Sequence, residues 1–483
     1  MNLKTICRFI GSLVLLEGIL LLLCLAVGII YRETDLLPII IPSALAIVLG
    51  VGLRIHGRNA RANLFRREAY FIVAIVWIVF SAIGMLPFLL SPHDISVSTA
   101  FFEAMSGFTT TGASALSQLD ALPHSLLFWR SLSQWIGGLG IVFFTLTLLP
   151  SNIQGGGRLF SAEATGLTHE KLHPRIGTTA RWLWSLYAML TATCALCLWL
   201  GGMSTFDSVN FAMTTLATGG FAPHASGILF YNSATIELIE MLFMFIGGIN
   251  FTILYLLFVK HKFRNVLRNE EIRYFCLSTL IIGFICSYAL FIHGHDPLDA
   301  LRRGFFNVIS LHTTTGFVSD NYALWYHPTL FLLLIATATG ACAGSTTGGI
   351  KSVRVLVLLK TATSQFKRLL HPNAIIPVRL NHAPVYERTE HVLISYFFWY
   401  VVLILAGAIA FDIMNLPLLD AVSLSISCVN NIGPIVGHEF TPLSDFSALS
   451  PAAKWVSCFL MLAGRLEIFS ILLPLTSSFW KQD

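Results

Sequence analysis

The sequence predicts an all-α polytopic membrane protein: four pseudo-repeated helix–pore loop–helix units around one pore, preceded by two N-terminal transmembrane helices. Three observations carry that prediction. The 483 residues are 55% apolar and only 11% charged, with a mean hydropathy of +0.75, whereas soluble globular chains are roughly 25% charged. Apolar runs long enough to cross a bilayer, which takes about 20 residues, recur along the whole chain. The segment Thr109-Thr110-Thr111-Gly112 returns letter for letter as Thr313-Thr314-Thr315-Gly316, more loosely as Ala217-Thr218-Gly219-Gly220, and in its final letter alone as Asn430-Asn431-Ile432-Gly433. A unit repeated at this scale decides architecture before any single element does.

Two apolar helices open the chain, Ile10–Tyr31 and Leu36–Leu53, and a basic loop with Arg54, Arg58, Arg61, Arg66 and Arg67 closes this first region, residues 1–67. The run after Lys4 and Arg8 is long for a signal-peptide core and lacks a clear small-residue cleavage site, so it reads as a retained helix. Each later unit holds an outer helix, a short pore segment, a filter and an inner helix. In unit 1 (68–178) these are Tyr70–Leu90, Thr99–Phe108, Thr109–Ala113 and Leu126–Pro150. Unit 2 (179–272) has Ala180–Gly202, Phe206–Leu216, Ala217–Phe221 and Thr235–Val259. Unit 3 (273–388) has Tyr274–His293, Asp299–His312, Thr313–Phe317 and Thr329–Lys360, interrupted near its middle. Unit 4 (389–483) has His391–Asn415, Leu418–Val429, Asn430–Pro434 and Lys454–Ser477. Phe102, Asn210, Phe306 and Ser423 each stand ten residues before the last filter glycine. The inner helices carry Gly137-Gly138, Gly247-Gly248, Gly340 with Gly344, and Gly464, which predicts close approach of one inner helix to another.

Charge sets the orientation. Lysines and arginines number 2 before the first helix, then 5, 4, 5 and 7 in loops 54–67, 151–181, 260–273 and 351–390, and 1 at the C-terminus. By the positive-inside rule both termini and these loops are cytoplasmic, and all four filters open from the outer face. The net charge of +5 is dispersed over the loops, which argues against a nucleic-acid partner. The nine cysteines (Cys7, Cys24, Cys194, Cys197, Cys276, Cys286, Cys342, Cys428 and Cys458) lie mostly in apolar runs and read as small buried residues, the Cys194-x-x-Cys197 spacing included.

A cation crossing the bilayer must exchange its hydration shell for oxygen ligands, and backbone carbonyls supply these without placing a full charge in the membrane. Pore segments whose C-terminal ends meet at the axis add a favourable helix dipole. No filter contains Asp or Glu, which suits a monovalent ion. The assigned ligands are the carbonyls of Thr110, Thr111, Thr218, Gly219, Thr314, Thr315, Asn431 and Ile432, with no other cofactor in the chain.

The four-filter plan, with Ser106-Gly-Phe-Thr-Thr-Thr-Gly-Ala113, Thr218-Gly-Gly-Phe221, Thr313-Thr-Thr-Gly-Phe317, Gly344-Ser-Thr-Thr-Gly-Gly-Ile-Lys351 and Gly464-Arg-Leu-Glu467, closely resembles the TrkH/TrkG branch of bacterial potassium-uptake proteins, over essentially the whole chain. That branch shares a superfamily with KtrB and the plant and fungal HKT/Trk transporters. The resemblance implies a potassium pathway in the bacterial inner membrane rather than an enzyme, a homodimer, and a cytosolic nucleotide-binding ring of the TrkA type. It also implies that glycine at Gly112, Gly220, Gly316 and Gly433 is the potassium-selective pattern, since sodium-preferring relatives often have serine at the first. A sodium-permeable or cation-coupled transporter of the same fold is the alternative.

Two gating elements follow from the resemblance. Gly340–Gly349, with Gly340, Gly344, Gly348 and Gly349 among Ser345 and Thr346, is poor helix material within an inner helix, and irregular backbone at membrane depth survives only inside protein or beside water; in the family such a loop obstructs the pore. Arg465, in an apolar inner helix, is costly there unless functional, and the resemblance implies an electrostatic barrier to cations; the competing expectation is a pair with Glu467 or another buried acid, or snorkelling. Glu103, Glu237 and Glu240 are expected to serve as hydrogen-bonding groups, with ion ligation as the alternative. The filters depart from symmetry, for the fourth has no threonine and the second begins with alanine. His169-Glu170-Lys171-Leu172-His173 matches a zinc-protease pattern, but Pro174 disfavours helix at the second histidine and no third ligand is supplied.

Overall fold

Apolar stretches become helices that bury small, polar and many large apolar residues on one side and leave other large aliphatic residues exposed on the other. The computed structural model describes residues 2–58, 66–140, 176–261, 263–374, 376–381 and 383–481; the HExxH-like segment, Arg61, most of the loop 151–181 and the end of the first inner helix lie outside them. Helix α1 (Leu3–Ile30) and α2 (Leu37–His56) form a hairpin. Gly50 lets the backbones touch, since a Cβ there would stand 2.6 Å from the Leu15 amide nitrogen.

Unit 1 comprises α3 (Arg66–Gly84), the pore helix α4 (Val97–Phe108) and α5 (His124–Gly138). Unit 2 comprises α6 (Ile176–Leu200), the pore helix α7 (Thr205–Leu216), α8 (Ala234–Gly247) and α9 (Phe251–Phe258). Unit 3 comprises α10 (Glu270–Ile292), the pore helix α11 (Pro297–His312), α12 (His327–Thr339) and α13 (Ser352–Leu370). Unit 4 comprises α14 (Glu387–Ile413), the pore helix α15 (Leu418–Asn430), α16 (Pro451–Arg465) and the short α17 (Phe469–Leu472). Pore helices begin where a side chain accepts the first free amides, Ser96 from Thr99, Ser204 from Asp207 and Asp296 from Leu298. Between α13 and α14 the strand pair Arg379–Leu380 and Ala383–Pro384 runs antiparallel.

Six described helices are long and apolar enough to cross a membrane, and two bent pairs add to them. On α10, Leu277, Ile281, Phe284 and Tyr288 are exposed along one face, as a lipid-facing helix requires.

Two expectations need correction. The inner helices of units 2 and 4 are not continuous: α8 and α9 meet at 106°, and the pair Pro451–Arg465 and Phe469–Leu475 at 115°. The first break falls at Gly247–Asn250, where Asn250 caps the new helix by accepting from the Thr252 amide at 2.8 Å. The second falls at Glu467 and Ile468, which take φ of +54° and +62°. The inner-helix glycines, moreover, serve two kinds of contact: Gly248 and Gly344 bring the inner segments of units 2 and 3 together, a Cβ on Gly248 lying 3.2 Å from that of Ala341 and one on Gly344 2.9 Å from the Asn250 amide nitrogen, whereas Gly137 and Gly464 face a pore helix. A Cβ at Gly137 would strike the Phe108 carbonyl, one at Gly464 the Val429 carbonyl, and one at Gly247 would lie 3.5 Å from the Leu216 carbonyl. Gly137 and Gly464 therefore make room for the end of their own unit's pore helix, while at Gly247 the separation is ordinary contact.

Candidate functional site

Each pore helix ends the same way. The second filter residue, Thr110, Thr218, Thr314 or Asn431, is left-handed, with φ between +51° and +55°. The third residue's amide reaches back five residues: Thr111 to Ser106 (2.9 Å), Gly219 to Thr214 (2.8 Å), Thr315 to Ser310 (2.8 Å) and Ile432 to Ser427 (3.1 Å). The second residue's amide bonds the carbonyl three back, at 3.0, 3.0, 3.1 and 3.3 Å in chain order. These are the two bonds of a Schellman closure, normally made around glycine. Filling the left-handed position with threonine or asparagine four times stores of order 1–3 kcal/mol each, which burial of these residues on every side sustains.

The filters meet as a ring. Gly112, Gly220, Gly316 and Gly433 have φ of +81°, +77°, +85° and +97°. A Cβ on Gly112 would collide with the Gly219 carbonyl, on Gly220 with the Thr315 carbonyl, on Gly316 with the Ile432 carbonyl, and on Gly433 would come within 2.7 Å of the Thr111 carbonyl. Unit 1 thus abuts unit 2, unit 2 unit 3, unit 3 unit 4, and unit 4 returns to unit 1. All four glycines line one outward cavity of about 400 Å³, whose wall also holds Arg130, His224 and Asp445.

Side chains behind the filter replace one another by unit. In units 1 and 3 the hydroxyls of the first and third threonines pair at 2.8 Å, and Thr109 and Thr313 donate to the Met105 and Ile309 carbonyls. In unit 4, Asn430 donates to Ile426 and receives the Tyr400 hydroxyl, while Asn431 donates to Met461 and to the Thr111 hydroxyl. In unit 2, where Ala217 and Gly219 lack hydroxyls, Gln134 of α5 donates to the Gly219 carbonyl at 2.8 Å and accepts from the Phe221 amide at 3.1 Å. One assigned ligand oxygen, Gly219, therefore already accepts a side-chain hydrogen bond.

Beneath the ring, Gly340–Gly349 is an irregular segment between α12 and α13, with φ of +62°, +71° and +74° at Gly340, Gly344 and Gly349. It touches three filters directly. Thr346 donates to the Leu216 carbonyl at 3.0 Å and receives the Thr218 hydroxyl at 3.2 Å. The Gly348 amide donates to the Thr314 hydroxyl at 2.7 Å, and a Cβ on Gly348 would run into the Asn430 carbonyl. The broken second inner helix receives the same segment, with Cys342 N–H on the Gly248 carbonyl and Phe251 N–H on the Gly344 carbonyl, both 3.0 Å. From the start of α10, Glu271 accepts the Ala343 amide at 2.6 Å. Ser345 bonds within the segment, to Cys342 and Thr347, and the Lys351 ammonium donates to the Thr347 carbonyl.

Arg465, at the end of α16, joins this segment to the inner helix of unit 1. Its guanidinium donates to the Thr346 carbonyl (2.8 Å), to the Gly138 carbonyl (2.7 Å) and to the Gly137 carbonyl. Glu467 pairs with Arg354. Arg465, Lys351, Glu467, Gly344, Ser345 and Thr347 share a cavity of about 170 Å³ with Trp77. Among the described residues no cluster of three His, Cys, Asp or Glu could hold a metal.

Of the three acids read as hydrogen-bonding groups, Glu103 and Glu240 accept hydrogen bonds, and Glu237 makes an ion-pair contact only. Glu103 accepts from Arg130 (2.7 Å), Ser114 and the Ala115 amide, Glu240 accepts from Thr215 at 2.5 Å, and Glu237 lies 3.5 Å from Arg302. Arg130 and Gln134 escaped the sequence reading; their signal was two polar residues four apart on one face of an apolar helix, just before Gly137.

This geometry agrees with what the chain is similar to. Residues 38–481 match the model of the TrkH family, described as cation transport protein. The Trk system potassium uptake protein TrkH of Salmonella typhimurium is 35% identical over 100% of both chains, and TrkG of Escherichia coli 30% identical over 99% of both. The crystal structure of the potassium transporter TrkH from Vibrio parahaemolyticus superposes with a TM-score of 0.91 at 32% identity, covering 100% of both chains. A multi-pass chain whose four filters close into one ring, and which matches these proteins end to end, belongs to the TrkH family of cation transport proteins.

Proposed function

We propose that this protein takes up potassium across the bacterial inner membrane, both termini cytoplasmic, through the ring formed by residues 109–112, 217–220, 313–316 and 430–433. The observation that carries this is the ring itself: four left-handed glycines, each against the carbonyl of the next unit's third filter residue. Close-set carbonyls at the C-terminal ends of four helices present partial negative charge to a dehydrated monovalent cation. The eight carbonyls from Thr110 to Ile432 assigned above are the ion's ligands in this reading, with K⁺ as cargo.

The segment Gly340–Gly349 and Arg465 form the gate. Glycines permit the irregular backbone, Thr346 and Gly348 seat it against the filters, and Arg465 holds it closed from the opposite side of the ring while placing a positive charge in the cation's path. The homodimer and the cytosolic TrkA-type nucleotide-binding ring implied by the resemblance belong to this reading, the ring supplying nucleotide sensitivity.

The test is potassium and rubidium uptake in a bacterium lacking its own uptake systems, with sodium as competitor. Potassium and rubidium entry with little sodium is expected. Sodium entry would move the protein to a sodium pathway of the same fold, and dependence of flux on a proton or sodium gradient would make it a coupled carrier. Uptake of none of these ions when the cytosolic ring is co-expressed would sink the reading.

A further inference from the structure

The second filter is held by a different device from the other three. In units 1, 3 and 4 a side chain of the pore helix, nine or ten residues before the last glycine, ties down the strand just beyond the filter. Glu103 accepts from Ser114 and the Ala115 amide, Asn307 donates to the Ser319 hydroxyl at 3.0 Å and accepts from its amide at 3.4 Å, and Ser423 accepts the Val436 amide at 2.8 Å. Unit 2 has Phe211 at the corresponding place, and Asn210 turns its amide back onto the Phe206 carbonyl at 2.8 Å. Its filter also carries two adjacent glycines and no first-position hydroxyl, which makes it the softest of the four backbones.

The tie comes instead from unit 1. Gln134, fully buried on α5, brackets Gly220 by holding the Gly219 carbonyl and the Phe221 amide. Arg130, one turn earlier on the same face, donates to the Ala222 carbonyl at 2.9 Å and sits 4.1 Å above the Phe221 ring. Glu103 fixes Arg130 in turn at 2.7 Å. Gly219 itself is cut to fit: a Cβ there would overlap the Gln134 amide, whereas the other units carry Thr111, Thr315 and Ile432 at that position. The amide therefore occupies the volume that a filter side chain fills elsewhere.

We propose that Gln134 is a positioning residue that sets ion selectivity, by fixing the Gly219 carbonyl at the spacing a potassium ion needs. This rests on the reading of the ring as a potassium filter. An unbraced Gly219-Gly220 strand yields inward around a smaller ion; bonded on both sides of Gly220, it does not. The donor to Gly219 is the essential half, because it acts on an oxygen that faces the neighbouring filter as well.

The experiment compares wild type, Gln134→Met and Gln134→Glu in cells lacking other uptake systems, with the cytosolic ring co-expressed. Met removes both bonds at similar volume; Glu keeps an acceptor for the Phe221 amide but loses the donor. Rubidium uptake and its inhibition by sodium are measured at matched membrane abundance. Both variants are expected to lower the rubidium-over-sodium preference about ten-fold, the size expected for loss of one or two buried hydrogen bonds. A preference equal to wild type in both overturns the proposal. Wild type without any preference instead overturns the potassium reading itself, whatever the variants do. The purified proteins supply a second readout, the difference in thermal midpoint between KCl and NaCl. A merely structural role lowers both midpoints and preserves the difference, which would also overturn the proposal; a shrunken difference supports it. If the Met variant does not accumulate, the Glu variant decides.

Discussion

Replacing Gly316 by serine acts on the ring at one point. The residue has φ of +85°, and its added Cβ would meet the Ile432 carbonyl and lie 2.8 Å from Cδ of Pro434. The backbone conformation alone costs about 1–2 kcal/mol for a residue with a side chain. Relieving the Pro434 contact requires a shift of roughly 0.7 Å to reach the ordinary carbon–carbon separation of about 3.5 Å, and the fourth filter is what must move. The Ile432 carbonyl then leaves its place among the ion ligands. Since about 1.4 kcal/mol is ten-fold, the combined effect predicts at least a ~10-fold fall in rubidium-over-sodium preference, read by uptake at matched abundance. Gly202→Ser is the control: φ there is +106° and nothing lies within 4 Å of an added Cβ, so it carries the backbone strain without the collision. Wild-type preference in Gly316→Ser, or an equal loss in Gly202→Ser, would refute the steric reasoning.

Other substitutions probe the gate and the braces. Arg465→Ala removes three carbonyl contacts and a positive charge below the filter and should raise flux; unchanged flux in a stably expressed protein would sink its role as barrier. Gly348→Ala puts a methyl against the Asn430 carbonyl, so the segment can no longer seat; raised flux and faster modification of an engineered Ser345→Cys from the cytoplasmic side are expected, and neither change would be seen if the segment does not close the pore. Glu103→Gln leaves the Arg130 guanidinium, 2% exposed, without its carboxylate, which predicts a loss of about 3 kcal/mol seen as a lower thermal midpoint, with partial recovery when Arg130→Met is added. An undiminished midpoint in the single variant would show that water in the outer cavity already screens the pair.

Much of this was legible in the chain because the filter glycines must be glycines: a left-handed backbone pressed against a neighbouring carbonyl admits little else, so the positions at Gly112, Gly220, Gly316 and Gly433 stand out even where the preceding letters diverge. The pore helices were legible to within two residues for the related reason that each starts just after a turn and ends at its filter. The bends in the second and fourth inner helices were not. Apolar runs flank both, and the Gly247-Gly248-Ile249-Asn250 and Gly464-Arg465-Leu466-Glu467 stretches between them fix neither the angle of the bend nor its place at Glu467 and Ile468. What makes them turn is tertiary: the segment at Gly340–Gly349 takes the hydrogen-bonding positions of Gly248 and Phe251, and Arg354 draws Glu467 across. Hydrophobic periodicity carries no record of such partners. Arg465 stands out in the sequence as a charge in an apolar helix, but the carbonyls of Thr346, Gly137 and Gly138 that it reaches are backbone groups, which no side-chain pattern can disclose.

The brace on Gly219 has a bearing on how such a pore can change over generations. An assembly of four identical subunits must introduce any alteration four times at once, and the altered positions face one another across a narrow opening. A single chain carrying all four filters can alter one and repair it from a neighbour, as Gln134 does for a strand that has neither threonine hydroxyl beside it. Covalent linkage thus frees each quarter to drift in spelling while the shape of the opening is inherited unchanged.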